Sequence, residues 1–147
     1  MKEPIYTWDG VLATCTITDD QGRKFIGEAV VHEKDMDFAS EKTGCTIATI
    51  RATISYLQSL KRDIIRPQLA ALNQLYYSMK HSTNFNPKSY ENIMLQRQIR
   101  LKKDDLDTIN EEIAKQRYFL IGYLREKEEF YQAVRKRREK TTSDEVN

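Results

Sequence analysis

The sequence predicts an α+β fold: a small N-terminal antiparallel β-sheet followed by two long antiparallel α-helices forming a coiled-coil-like hairpin. Three observations point there. β-branched residues crowd the N-terminal part, apolar residues recur at steps of three and four from Ile47 onward, and five glycines and three prolines are all that punctuate 147 residues. With 39% apolar and 31% charged residues the core is thin, so burial has to be completed by long helix pairing or by another copy of the chain. One domain is expected over 1–140. A disordered tail is expected over 141–147, where TTSDEVN has no periodicity.

The sheet is read over 5–31 as a β-meander. VLATCTIT at Val11–Thr18 and KFIGEAVV at Lys24–Val31 are strand-like, Asp20-Gln21-Gly22 supplies the turn between them, and Ile5–Trp8 adds a short first strand. HEKDMDFA then reads as a polar, solvated linker. Its alternating Glu33, Asp35 and Asp37 are half of a calcium loop at most, because the glycine and distal glutamate of such a loop are missing. Cys15 and Cys45 are not spaced as a redox or metal pair and read as small buried thiols.

The first long helix is placed at 40–80, with Ser40 as N-cap and Glu41 in the first turn. Pro67 falls inside its apolar pattern, so the helix is expected to kink over 63–67 and then resume. The second helix is placed at 86–140, capped by Asn86 with Pro87 in its first position. A heptad runs through it. One seam holds Asn92, Ile99, Leu106, Ile113, Leu120, Lys127 and Val134, and the other Leu95, Lys102, Ile109, Gln116, Tyr123 and Phe130.

The corner between the helices, HSTNFNPKSYENIMLQRQIR, carries the chemistry. Up to Tyr90 it is explained by turn and cap residues, with Phe85 packing on Tyr90 as a hydrophobic staple. Asn92 on the seam, followed by Gln96, Arg97 and Arg100, is more than a hairpin requires. An adenine nucleotide needs a plane to stack on, amides for the base edge and forked guanidiniums for phosphate oxygens. Phe85, Asn86, Tyr90, Asn92, Gln96, Arg97 and Arg100 supply that set, with Arg66 reaching in from the other helix and Arg117 beside the seam. From the residues alone, a plain turn and a ligand site both remain open.

Catalysis is not expected. His32 and His81 are the only histidines, and no G-x-S-x-G, H-E-x-x-H or P-loop pattern occurs, so neither cofactor nor metal is called for. Charge divides unevenly: 1–42 carry five Lys/Arg against nine Asp/Glu, and 43–147 carry nineteen against thirteen. The acidic end can therefore face the basic end, within a chain or between copies. Arg135-Lys136-Arg137-Arg138 complements a helix C-terminus, and nearby glutamates dilute it, which weighs against a nucleic-acid partner. No membrane-length apolar run and no apolar h-region in MKEPIYTWDG place the chain in the cytoplasm.

Taken together, GEAVVHEKDMDFASEKTG, a helix containing IRATISYL, the corner and a second long helix resemble the phage family of first-type Thoeris anti-defence proteins over most of 5–140. The resemblance implies a non-catalytic sponge in the bacterial host cytoplasm. Such proteins bind cyclic ADP-ribose isomers made by TIR-domain sensors and withhold them from the effector; they are oligomers built from dimers, and some relatives also hold cyclic oligonucleotides at separate sites. The family pocket uses aromatic, asparagine and arginine side chains, and Phe85, Asn92, Arg97 and Arg100 agree with it in type. Two other classes stand beside this one: an oligomeric coiled-coil scaffold without a small-molecule ligand, and a nucleic-acid-binding accessory protein.

Overall fold

In the computed structural model of the chain, residues 1–146 are described, with side chains through residue 142. Three antiparallel strands, β1 (Ile5–Trp8), β2 (Leu12–Thr18) and β3 (Lys24–Val30), form a sheet in the order β1-β2-β3. Its two turns are pinned by carboxylates. Asp9 Oδ1 accepts from the amides of Val11 and Leu12 at 2.9 and 2.7 Å, beside Gly10 at φ 96°. Asp19 accepts from the amides of Gln21 and Arg23 at 2.9 and 2.8 Å and from Arg23 Nε at 2.8 Å, with Gly22 at φ 81°. Burial alone would raise the Asp19 carboxyl, but the hydrogen bonds from Arg23 and Gln21 outweigh it and hold the group below its ordinary value.

Several inward residues of β2 and β3 are small. Ala13, Cys15, Ile17 and Ala29 meet Ala48 and Ala52 of α1 (Glu41–Leu60), with Trp8, Cys45 and Ile47 packed round the edge. Gly27, opposite Cys15 in the register, lets the helix backbone come closer still. A methyl group there would lie 2.0 Å from the carbonyl oxygen of Ala48 and 2.4 Å from the amide nitrogen of Ala52. Ser40 caps α1, accepting the Thr43 amide on its hydroxyl at 3.3 Å and the Gly44 amide on its carbonyl at 2.9 Å.

Between sheet and helix lies a 3-10 turn, Glu33–Phe38, here called the strap. It is docked, where the sequence reads as a solvated linker. Asp35 pairs with Arg135, whose guanidinium also donates to the Lys34 carbonyl at 2.8 Å, and Arg138 reaches Asp37 at 3.3 Å. Phe38 stacks on Tyr131 with centroids 4.3 Å apart and lies under the guanidiniums of Arg135 and Arg138. The acidic and basic parts of the sequence therefore meet within one chain.

The expected hairpin of two long helices is not what forms. The first helical stretch is three segments: α1, a π-helical turn Lys61–Ile65, and α2 (Arg66–Lys80). Pro67 has no amide to give the carbonyl of Asp63, and the turn before it widens, the Arg66 amide bonding back five residues to Lys61. The second helix, α3 (Tyr90–Val146), starts four residues later than the placement at Asn86. Nor does one continuous seam join them. The chain divides into two compact units, 1–55 with 115–147 and 56–114. Along the heptad only Asn92, Leu95, Ile99 and Ile113 are buried, while Phe130 is 58% exposed. Beyond Ile113 the seam positions Gln116, Leu120, Tyr123, Lys127 and Val134 are only half-buried.

The tail expected over 141–147 begins inside α3, where the hydroxyls of Thr141 and Thr142 donate to the carbonyls of Arg137 and Arg138. Residue 147 lies outside the described residues. Among the described residues no helix is long and apolar enough to cross a membrane.

Because the contact at Gly27 is backbone against backbone, Gly27→Ala forces the sheet off α1. Urea unfolding of this variant is expected to show a loss of about 1–3 kcal/mol, the range for overpacking a close interface.

Candidate functional site

The corner belongs to the unit 56–114. It is built by a chain of short polar contacts after α2 ends. Asn86 accepts the Lys88 amide on its side chain at 3.0 Å and the Ser89 amide on its carbonyl at 3.1 Å, so it organises a turn ahead of the helix. Ser89 is the N-cap: its hydroxyl accepts the Asn92 amide at 3.3 Å, and its carbonyl the Ile93 amide at 3.0 Å. Phe85 does not staple to Tyr90. Its ring meets Tyr76 of α2 edge-on at 6.3 Å between centroids, and Tyr90 is left 74% exposed.

Asn92 is 3% exposed and faces inward. Its Nδ2 donates to the Asn86 carbonyl at 2.6 Å and to the Ser89 hydroxyl at 2.9 Å, closing the corner onto the helix. Its Oδ1 is buried and finds no donor among the described residues. Exchanging the two ends of the amide would put an oxygen against the Asn86 carbonyl, so this assignment is the one the network supports.

The binding set proposed by the sequence thus divides between two faces of α3. Asn92 turns inward with Leu95 and Ile99. Tyr90, Ile93, Arg97 and Arg100, at steps of three, four and three, form a stripe on the solvent side. Gln96 is half-buried, Arg66 is exposed on α2, and Arg117 is exposed in the other unit, 1–55 with 115–147. The structure therefore brings together Tyr90, Arg97 and Arg100; Phe85, Asn86 and Asn92 hold the turn.

The arginines also sort by employment. Arg23, Arg62, Arg135 and Arg138 each hold a carboxylate. Arg66, Arg97, Arg100 and Arg117 enter no ion pair among the described residues. A groove of about 590 Å³ runs elsewhere in this unit, between Gln68, Leu72 and Leu75 of α2 and Gln98, Leu101 and Lys102 of α3. None of the expected binding residues lines it. Among the described residues no group of three or more His, Cys, Asp or Glu side chains is placed to hold a metal ion.

What the sequence reading missed is the docking of the strap by Arg135 and Arg138. The imbalance of charge between the two ends was its signal, and the pairing partners lie about a hundred positions apart, beyond any local pattern. No protein-family model, curated protein or solved structure matches this chain.

The two faces should separate on mutation. Asn92→Ala removes two hydrogen bonds that close the corner and is expected to cost about 1–2 kcal/mol in thermal or urea unfolding. Arg97→Ala, on the solvent face, should stay within about 0.5 kcal/mol of the parent chain.

Proposed function

We propose that the chain is a non-catalytic, nucleotide-binding sponge that holds cyclic ADP-ribose-type signalling molecules intact and so blocks TIR-dependent Thoeris immunity in an infected bacterial cell. The observation that carries this reading is the stripe Tyr90, Arg97 and Arg100: one exposed aromatic ring and two unengaged guanidiniums within three turns of a helix. A purine can stack on the phenol ring, and a pyrophosphate offers the paired oxygens that guanidinium forks grip. Sequestration asks for tight binding and slow release, and uses no base or nucleophile.

A stripe on a convex helix cannot enclose a ligand by itself. The reading therefore includes a second copy of the chain, whose surface closes over the stripe. Support for self-association comes from α3 in the unit 1–55 with 115–147. There Tyr118 (82% exposed), Phe119, Ile121 and Phe130 leave large apolar groups in solvent. Beside them Gly122 sits mid-helix with open space around its missing methyl, so nothing in its own chain requires glycine there. The same apolar residues favour a second reading, an oligomeric scaffold without a nucleotide. A nucleic-acid accessory role draws less support, since Arg135 and Arg138 are occupied by the strap.

Purified protein mixed with a cyclic ADP-ribose isomer should bind it and release it chemically unchanged after heat denaturation, as read by mass spectrometry. Hydrolysed product would instead indicate an enzyme, and no binding would favour the scaffold. The double variant Arg97→Ala/Arg100→Ala should weaken binding by at least about a hundredfold, from two lost charge-assisted hydrogen bonds, while the oligomer persists. Conversely, Ile121→Asp should shift the mass measured by light scattering toward the monomer with the circular dichroism of the parent. If the parent chain is itself monomeric, the closing copy is ruled out.

A further inference from the structure

A second cavity, of about 330 Å³, lies in the unit 1–55 with 115–147, and neither the corner nor the nucleotide reading uses it. It sits under the strap, walled by the end of β3, the first turns of α1 and the stretch of α3 from Leu124 to Tyr131. Val30, Phe38, Ile47 and Leu124 make its walls largely apolar. That volume suits a single ring with a small polar head.

Its polar groups are unequally provided for. Both carboxylates on the lining are already engaged: Asp35 holds the Arg135 guanidinium, and Glu128 accepts from Lys34 Nζ at 3.5 Å and Gln132 Nε2 at 3.3 Å. The donors are not. His32 Nδ1 accepts the Lys34 amide at 3.1 Å, which in the neutral ring leaves the hydrogen on Nε2. Ser40 already receives the Thr43 amide on its oxygen, so its hydroxyl hydrogen is unspent. The Thr43 hydroxyl has no acceptor, and Lys127 has no carboxylate partner, among the described residues; the ammonium lies 5.5 Å from the centroid of the Tyr123 ring. Tyr131, on the same wall, is kept a phenol, because burial, then the Asp35 carboxylate, raise its pKa above the ordinary value.

We propose that this cavity binds a small planar monoanion of the aromatic carboxylate class, its ring among Phe38, Ile47 and Leu124 and its carboxylate received by Lys127, Thr43 and His32 Nε2–H. The charge count selects a monoanion. Arg135 balances Asp35 and Lys34 balances Glu128, leaving the Lys127 ammonium as one positive charge without a counterpart. A dianion would carry a second negative charge toward two carboxylates already in place. Apolar walls with a surplus of donors ask for a ligand that is flat and acceptor-tipped.

The test is a titration of the 15N-labelled full chain with benzoate, followed by amide chemical shifts, against benzamide, which lacks the charge, and acetate, which lacks the ring. Benzoate should give saturable shifts centred on His32, Thr43, Gly44 and Lys127, with both comparators at least about tenfold weaker. Lys127→Met should weaken benzoate by at least about tenfold at an unchanged melting temperature, and Thr43→Val, which removes a donor and keeps the shape, should weaken it in the same direction. No saturable response to benzoate, equal binding of benzamide, or shifts centred outside the cavity would each overturn the proposal. Because the cyclic nucleotide is tested at Arg97 and Arg100, failure of either site leaves the other standing.

Discussion

The unit that contains the sheet depends on the approach of α1 to the sheet at Gly27, where two backbones meet with no room for a methyl group between them. A thin core is tolerable only if its layers lie close, because dispersion and the exclusion of water both fall away with a small gap. Alanine and glycine on each side achieve this, at Ala13 and Ala29 on the sheet and Gly44, Ala48 and Ala52 on the helix. The cost is area: small side chains bury little each, and the unit needs further cover.

That cover comes from the strap and from the C-terminal part of α3. Phe38 adds a large apolar group to those of the sheet and α1, and it is held by a phenol ring and two guanidiniums. The exposed Arg138–Asp37 pair contributes little alone, so the ring stacking and the more buried Arg135–Asp35 pair act with it to keep the strap down. Position follows from this. With Glu33–Phe38 fixed, His32 and Asp35 line the cavity beneath the strap.

Legibility in the sequence tracked the range of the interaction. Ser40 as a cap and Gly22 in a turn of φ 81° could be read because each involves residues within four positions. Asp19 anchors that turn where the sequence pointed to Asp20, a difference of one residue within the same chemistry. At the corner the residue types were right to stand out, but a list cannot show which way a helix faces. Asn92 and Arg97, only five apart, are on opposite sides. The expected hairpin did not form for a further reason: a heptad count assigns seam members by position alone, whereas beyond Ile113 those positions are half-buried at most and Phe130 is exposed.

The π turn before Pro67 can be read as one extra residue in a helix. Leu60 and Ile65 stand five apart, the bonding interval of a π turn, where an unbroken α-helix would repeat its face after three or four. Each residue added to a helix rotates everything beyond it by about 100°. The widened turn absorbs that rotation at one place, so the apolar positions of α2 keep a common face despite the proline. A single-residue insertion elsewhere in this stretch would have no such outlet, which makes Lys61–Ile65 the point at which the length of this helix can change by one.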